Sequence, residues 1–183
     1  MRDSAEADEI IKATRRWLEK VVIGLNLCPF AVTPWRQGRI HFRLSAATDT
    51  QQLAEDLIEE LMALQASDPA ERETTLLIHP DVLGDFLDYN DFLDVADRIL
   101  AELGLEGTLQ IASFHPDYQF ADSAPDDTAN CSNRSPYPTL HLLREASVAA
   151  AVEHLADPDL IYERNIQTLR RLGTQAWQAL MDG

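Results

Sequence analysis

The run that most restricts the fold is Thr74 to His79, T-T-L-L-I-H. It is β-rich and almost wholly apolar, with charged residues before it and Pro80 after it. That is the composition of a strand buried on both faces in the middle of a sheet. The chain flanks it with amphipathic helical runs. Ahead of it, Leu53, Leu57, Leu61 and Leu64 recur at helical spacing behind a capping-box pattern, Thr48 and Gln51, and the run ends near Ser67 and Pro69. Behind it, a short turn within Asp81 to Tyr89 leads to a stripe of Phe92, Ala96, Ile99, Leu100 and Leu103, closed by Gly104.

Two further runs have period-two patterning. Arg39 to Ser45 alternates Ile40, Phe42 and Leu44 against Arg39, His41 and Arg43, and Thr108 to Phe114 ends, like Thr74 to His79, at a His-Pro pair. Thr139 to Arg144 is assigned as a fourth strand, followed by an Ala-rich helix with Ser147 as its N-cap. A first helix over Ala5 to Ile23 stops at Gly24. Gly24 to Gly38 is then a connector whose one turn starts at Pro29. A last helix runs from about Pro158 through Leu169 and Leu172 to Gly173, before a short tail with Trp177.

This order predicts one domain over residues 1–183 with an α/β fold. The arrangement expected is a two-layer α/β sandwich, an about four-stranded sheet with helices packed on it, of which the ferredoxin-like form is one version. An open parallel sheet with helices on both faces is the alternative, because strand–helix–strand crossings favour parallel pairing.

Charge narrows the partners. The chain has 31 Asp and Glu against 15 Lys and Arg, a net charge of −16. Such a field repels phosphate backbones and anionic lipid, which argues against nucleic acid and membrane as partners. The acidic N-terminus lacks a secretory pattern and no apolar run reaches spanning length, so a cytoplasmic protein is the simplest expectation. Cys28 and Cys131 stand far apart without a C-x-x-C spacing, which indicates neither a disulfide scaffold nor a zinc knuckle.

Chemistry-bearing residues concentrate between Ile111 and Glu145. If the strands that end in His-Pro run parallel, His79 and His115 come to neighbouring C-terminal edges, where open α/β sheets bind ligands. They would then serve as proton-transfer groups, or bind a divalent metal such as zinc or iron with Cys28, His141, Asp117 or Asp122 as a third ligand. The plainer alternative is a strand-end histidine bonded to local backbone. Arg134 and Arg144 flank a Pro-Tyr-Pro turn and suit a small anionic ligand through guanidinium forks. The internal alternative pairs Arg134 with Asp126 or Asp127, and Arg144 with Glu145 or Asp122. Cys28 precedes Pro29, so a helical turn starting there places the thiol at an N-cap, where a thiolate is favoured and a histidine would be its base. Otherwise it is a small buried apolar group. Tyr118 and Tyr137 line the long loop from Asp117 to Pro138, either as substrate contacts or, with Phe120, as the loop's own core.

G-L-N-L-C-P-F-A at Gly24 to Ala31, T-T-L-L-I-H-P at Thr74 to Pro80, S-F-H-P-D-Y-Q-F at Ser113 to Phe120 and N-R-S-P-Y-P-T-L-H-L-L-R-E at Asn133 to Glu145 together resemble the bacterial family called domain of unknown function fourteen-fifteen. The resemblance runs over nearly the whole chain, including the final N-I-Q-T-L-R-R-L-G. It implies no activity and carries over no catalytic residue. The expected function is thus a small enzyme with a pocket at one sheet edge. In it, His115, His79 and Cys28 act on a small anion held by Arg134 and Arg144, with a divalent metal as one option. The alternative is a non-catalytic binding module whose Pro/Arg/aromatic loop is a rigid recognition surface.

Overall fold

The computed structural model describes residues 3–153 and 159–182. Four strands, β1 (Ile40–Leu44), β2 (Thr74–Ile78), β3 (Leu109–Phe114) and β4 (Thr139–Arg144), form one sheet in the order β1-β2-β4-β3. β1 and β2 are parallel neighbours, with Ile40 beside Thr74, joined through the helix α3 (Thr50–Ala66). The helix α4 (Phe86–Glu102) leads from β2 to β3, but β4 inserts between those two strands, antiparallel to both. β2 and β3 therefore run in the same direction, one strand apart. The α/β class and the four-stranded sheet with helices packed on it are as expected. The connectivity is βαβαββ, which differs from the βαββαβ order of a ferredoxin-like fold.

Strand alternation sends successive side chains to opposite faces, so the sheet builds two apolar clusters. On one face, Leu77, Leu109, Leu140 and Leu142 pack against Leu53, Leu57, Leu61 and Leu64 of α3 and against Tyr89, Phe92 and Ala96 of α4. On the other, Leu76, Ile40, Phe42 and Phe114 meet Trp17, Val21, Leu169 and Trp177. This second cover consists of α1 (Ser4–Trp17), a π-helix (Leu18–Ile23), α6 (Asp159–Leu172) and α7 (Thr174–Asp182), with α2 (Val32–Arg36) and α5 (Glu145–Glu153) at its margin. β2 is buried at all five positions, as its composition demands.

Several local assignments shift. α3 is capped by Asp49, whose carboxylate accepts the Gln52 N–H at 2.9 Å, and Gln52 reaches back to the Thr48 N–H at 3.2 Å. The box is therefore one residue later than Thr48 and Gln51 suggested. α5 begins at Glu145 directly from β4, so Ser147 lies inside the helix instead of capping it. The tail holding Trp177 is the helix α7, stabilised by burial of that indole. Pro158 lies outside the described residues.

Candidate functional site

His79 and His115 do come together at the C-terminal ends of β2 and β3, on either side of Tyr89. The His79 ring stacks on Tyr89 at 5.8 Å between centroids, and His115 packs against it at 5.0 Å and against Phe86 at 5.4 Å. Both imidazoles are fully buried. His115 Nε2–H donates to the Leu83 carbonyl at 3.1 Å and Nδ1 accepts the Asp117 N–H at 3.0 Å, so both ring nitrogens are engaged by backbone. His79 Nδ1–H donates to the Val82 carbonyl at 3.1 Å, and its buried Nε2 has no partner among the described residues. Burial pushes His79 down to about 4 and lowers His115, leaving both neutral. Among the described residues, no three His, Cys, Asp or Glu side chains are grouped to hold a metal ion. His141 projects from the opposite face of the sheet, and neither Asp117 nor Asp122 joins it.

Both arginines donate to backbone carbonyls, and among the described residues the buried Nε of Arg144 has no partner. Arg134 donates from Nε to the Tyr118 carbonyl at 3.2 Å and from Nη2 to the Pro125 carbonyl at 2.8 Å. It thereby fastens the start of the long loop to its middle. Arg144 Nη2 donates to the carbonyls of Leu64, Ser67 and Arg72. Leu64 lies in the last turn of α3, where its carbonyl also accepts from the N–H and the hydroxyl of Ser67, and the Ser67 and Arg72 carbonyls lie beyond the helix. Neither arginine pairs with the carboxylates that the sequence offered. Tyr118 packs between Phe86 and Phe120 at 5.2 and 5.1 Å, while Tyr137 contributes a carbonyl that accepts from Ser135 and Thr139. The loop's order comes from buried Asn130, whose amide accepts from Phe120 N–H and Ser123 Oγ and donates to the Ala124 carbonyl.

Cys28 lies elsewhere, on the face covered by the π-helix. The N–H groups of Ala31 and Phe30 face its sulfur as an N-cap would have them. Burial outweighs them and pushes the thiol up to about 12. Among the described residues, no histidine is among its neighbours around a cavity of about 410 Å³, which Cys28 lines with Val22, Phe114, Phe120, Asn133 and Asn165.

A second cavity of about 410 Å³ adjoins the other side of the Cys28–Ala31 turn. Leu18, Pro29, Phe30, Ala31, Pro34, Leu76 and Val148 form its apolar walls, and its polar lining includes Thr74, His141, Arg39, Glu73 and Arg144, with the hydroxyl residues Thr33 and Ser147. Thr74 Oγ1 donates its single proton to the Leu142 carbonyl at 2.7 Å, so the contact with His141 Nε2 has the imidazole as donor. That assigns the tautomer and leaves Nδ1 as the ring's unengaged acceptor among the described residues. Desolvation pushes His141 down to about 4, so the ring is neutral at physiological pH. Arg39 and Glu73 close the same end with a 2.7 Å ion pair, which balances the guanidinium charge. Sequence patterning missed Thr74, Arg39 and Glu73 as a group. The available signal was register: Arg39 and Glu73 each stand one residue before adjacent parallel strands.

A family model described as "Protein of unknown function (DUF1415)" matches residues 9–179. The chain belongs to the DUF1415 family. Comparison with curated proteins and with solved structures returned no match. In this DUF1415 chain the segments that resemble the family pattern wall the two cavities. Cys28 to Ala31 separates them, Thr74 and His141 face one, and Phe114, Phe120, Asn133 and Asn165 face the other.

Proposed function

We propose that this DUF1415 protein binds a small neutral molecule, with an apolar body and one hydrogen-bond donor, in the cavity over His141. The observation that carries the reading is the neutral His141 ring, held by Thr74 with Nδ1 free, in the wall of a mostly apolar cavity of about 410 Å³. Small-molecule sites are concave, mainly apolar and provided with a few polar groups that fix orientation. Here the acceptor is Nδ1, so the ligand contributes an N–H or O–H. The charges at the cavity end favour a neutral ligand, because Arg39 is matched by Glu73 and Arg144 is held on three carbonyls. Proton transfer at the strand edge has less support, since His115 has no free nitrogen and His79 is sealed.

Thermal melting with phenol and indole, set against toluene and benzoate, tests the reading. A ligand selective for the folded state raises apparent stability. Phenol and indole should raise Tm more than toluene, which has no donor, and more than benzoate, which is anionic. Ala151→Phe, which fills the cavity from α5, should abolish the shift, and His141→Phe should remove the preference for the donor. No shift in the wild type, or shifts retained in Ala151→Phe, would overturn the proposal.

A further inference from the structure

The opposite layer of the molecule has a different kind of surface. α3 and α4 together contain nine carboxylates and one arginine, Arg98, a balance of −8 and so half of the chain's net −16. Between the first halves of these helices runs an open groove of about 530 Å³, with Ala54, Leu83, Phe92 and Val95 as its floor and Asp88 and Asp91 on its rim. Asp88 and Asp91 are exposed, one helical turn apart, and among the described residues neither has an ion pair. The same helices also present Ile58, Met62 and Leu87, three large apolar side chains left exposed. Elsewhere the acids of α3 are used internally: Glu60 is paired with Arg72 and Arg43, and Asp56 accepts from Ser45.

We infer that the α3–α4 groove docks a basic amphipathic helix of a partner protein. An amphipathic helix binds such a groove through apolar side chains at i, i+3, i+4 and i+7. Lysine or arginine beside that stripe would face Asp88 and Asp91, which share the i, i+3 spacing. Charge complementarity selects this occupant over the others. A second copy would bring the same −8 layer against itself, and like charges facing across an interface cost several kcal/mol. Anionic lipid and nucleic acid meet the same repulsion. The groove lies on the other side of the sheet from the His141 cavity, so the inference does not depend on the small-molecule reading.

The test is fluorescence anisotropy with a labelled 18-residue peptide that has leucine at i, i+3, i+4 and i+7 and lysine elsewhere. Two control peptides replace the lysines by glutamate or scramble the leucine pattern. Asp88→Asn with Asp91→Asn should weaken binding of the lysine peptide about tenfold, and Val95→Gln should weaken it several-fold. Glu71→Gln with Glu106→Gln removes the same charge beyond the far ends of the two helices and should change affinity less than about twofold. Folding of each variant is checked by its thermal melt. Equal losses from both charge pairs would reduce the effect to bulk charge, and equal binding of the scrambled peptide would remove the groove; either result overturns the inference. So would self-association in sedimentation velocity that the lysine peptide fails to displace, because the occupant would then be a second copy.

Discussion

Arg144 Nη2 donates to the Leu64 carbonyl at 2.7 Å, tying the last residue of β4 to the end of α3. The same nitrogen is 2.9 Å from the Ser67 carbonyl and 3.1 Å from that of Arg72, so one cation sits where the α3 macrodipole is negative. Arg144→Met should therefore destabilise the fold by about 2–3 kcal/mol, since three carbonyls lose a shared charged donor. Urea unfolding measures it. Added phosphate or carboxylate should not restore stability, as it would have no part in this contact. A loss below about 0.5 kcal/mol would mean that water replaces the arginine.

Tyr89 does the corresponding work at the other end of the sheet. Its buried hydroxyl donates to the Thr139 carbonyl at 2.9 Å and accepts the Phe114 N–H at 3.0 Å, joining the ends of β3 and β4. Tyr89→Phe keeps the ring against His79 and His115 but strands one donor and one acceptor. The expected cost is about 2–3 kcal/mol by chemical denaturation, with amide exchange of Phe114 speeding up more than that of β2. Unchanged exchange at Phe114 would show that the hydroxyl is not its partner.

The elements were legible because periodicity reports burial, and burial is what these strands and helices share. Thr74 to Ile78 is apolar throughout because both faces of β2 are covered, and Leu53, Leu57, Leu61 and Leu64 lie on one face of α3. The position of β4 was not legible: nothing local to Thr139–Arg144 encodes insertion between β2 and β3. The juxtaposition of His79 and His115 followed from the strands running in the same direction, but their chemistry did not. Their fate is decided by the carbonyls of Val82 and Leu83 and the Asp117 N–H, backbone groups that any sequence supplies. Arg134 and Arg144 escaped for the same reason, since residue type suggests carboxylate partners and cannot show a carbonyl waiting at a helix end or in a loop.

Acid should unfold the protein through its histidines. His79 and His141 are pushed to about 4 in the folded state by burial, against about 6.5 when unfolded. The unfolded chain then binds more protons below pH 6.5, so stability is complete above that value, falls as pH drops from about 6.5 to 4, and levels off in this contribution below 4. Each ring accounts for on the order of 3 kcal/mol at most over that window. Urea midpoints from pH 7.5 to 4 should show this slope, and His79→Phe should reduce it by about one proton. A flat profile would mean that the rings are charged in the folded protein.

Cys28 should behave as a buried thiol. With its pKa pushed to about 12 by burial, the thiolate fraction at pH 8 is about a thousandfold below that of an ordinary cysteine near 9. Iodoacetamide should label it slowly in the native protein and at the ordinary rate in urea, followed by mass spectrometry. Native labelling at the rate of a free thiol would reverse the assignment and restore the nucleophile reading.

The π-helix provides the last prediction, in which the sign is the test. Gly24 N–H bonds to the Glu19 carbonyl at 3.0 Å and Leu27 N–H to that of Val22 at 2.8 Å, both spanning five residues instead of four. The wider turn places Leu18 in the wall of the His141 cavity and Val22 in the wall of the Cys28 cavity. At Gly24 the backbone has ordinary helical angles, φ −60° and ψ −36°, so conformational preference alone would favour alanine by about 1 kcal/mol. A Cβ there would instead run into the Lys20 carbonyl oxygen. Gly24→Ala should therefore destabilise by roughly 1–3 kcal/mol, as the turn unwinds to relieve the overlap. It should also weaken phenol-induced stabilisation by moving Leu18, an effect that Gly84→Ala, with open space around its Cβ, should not share. A gain in stability on Gly24→Ala would show that the five-residue bonds yield easily to an α-helix, and that the wall they set is not fixed.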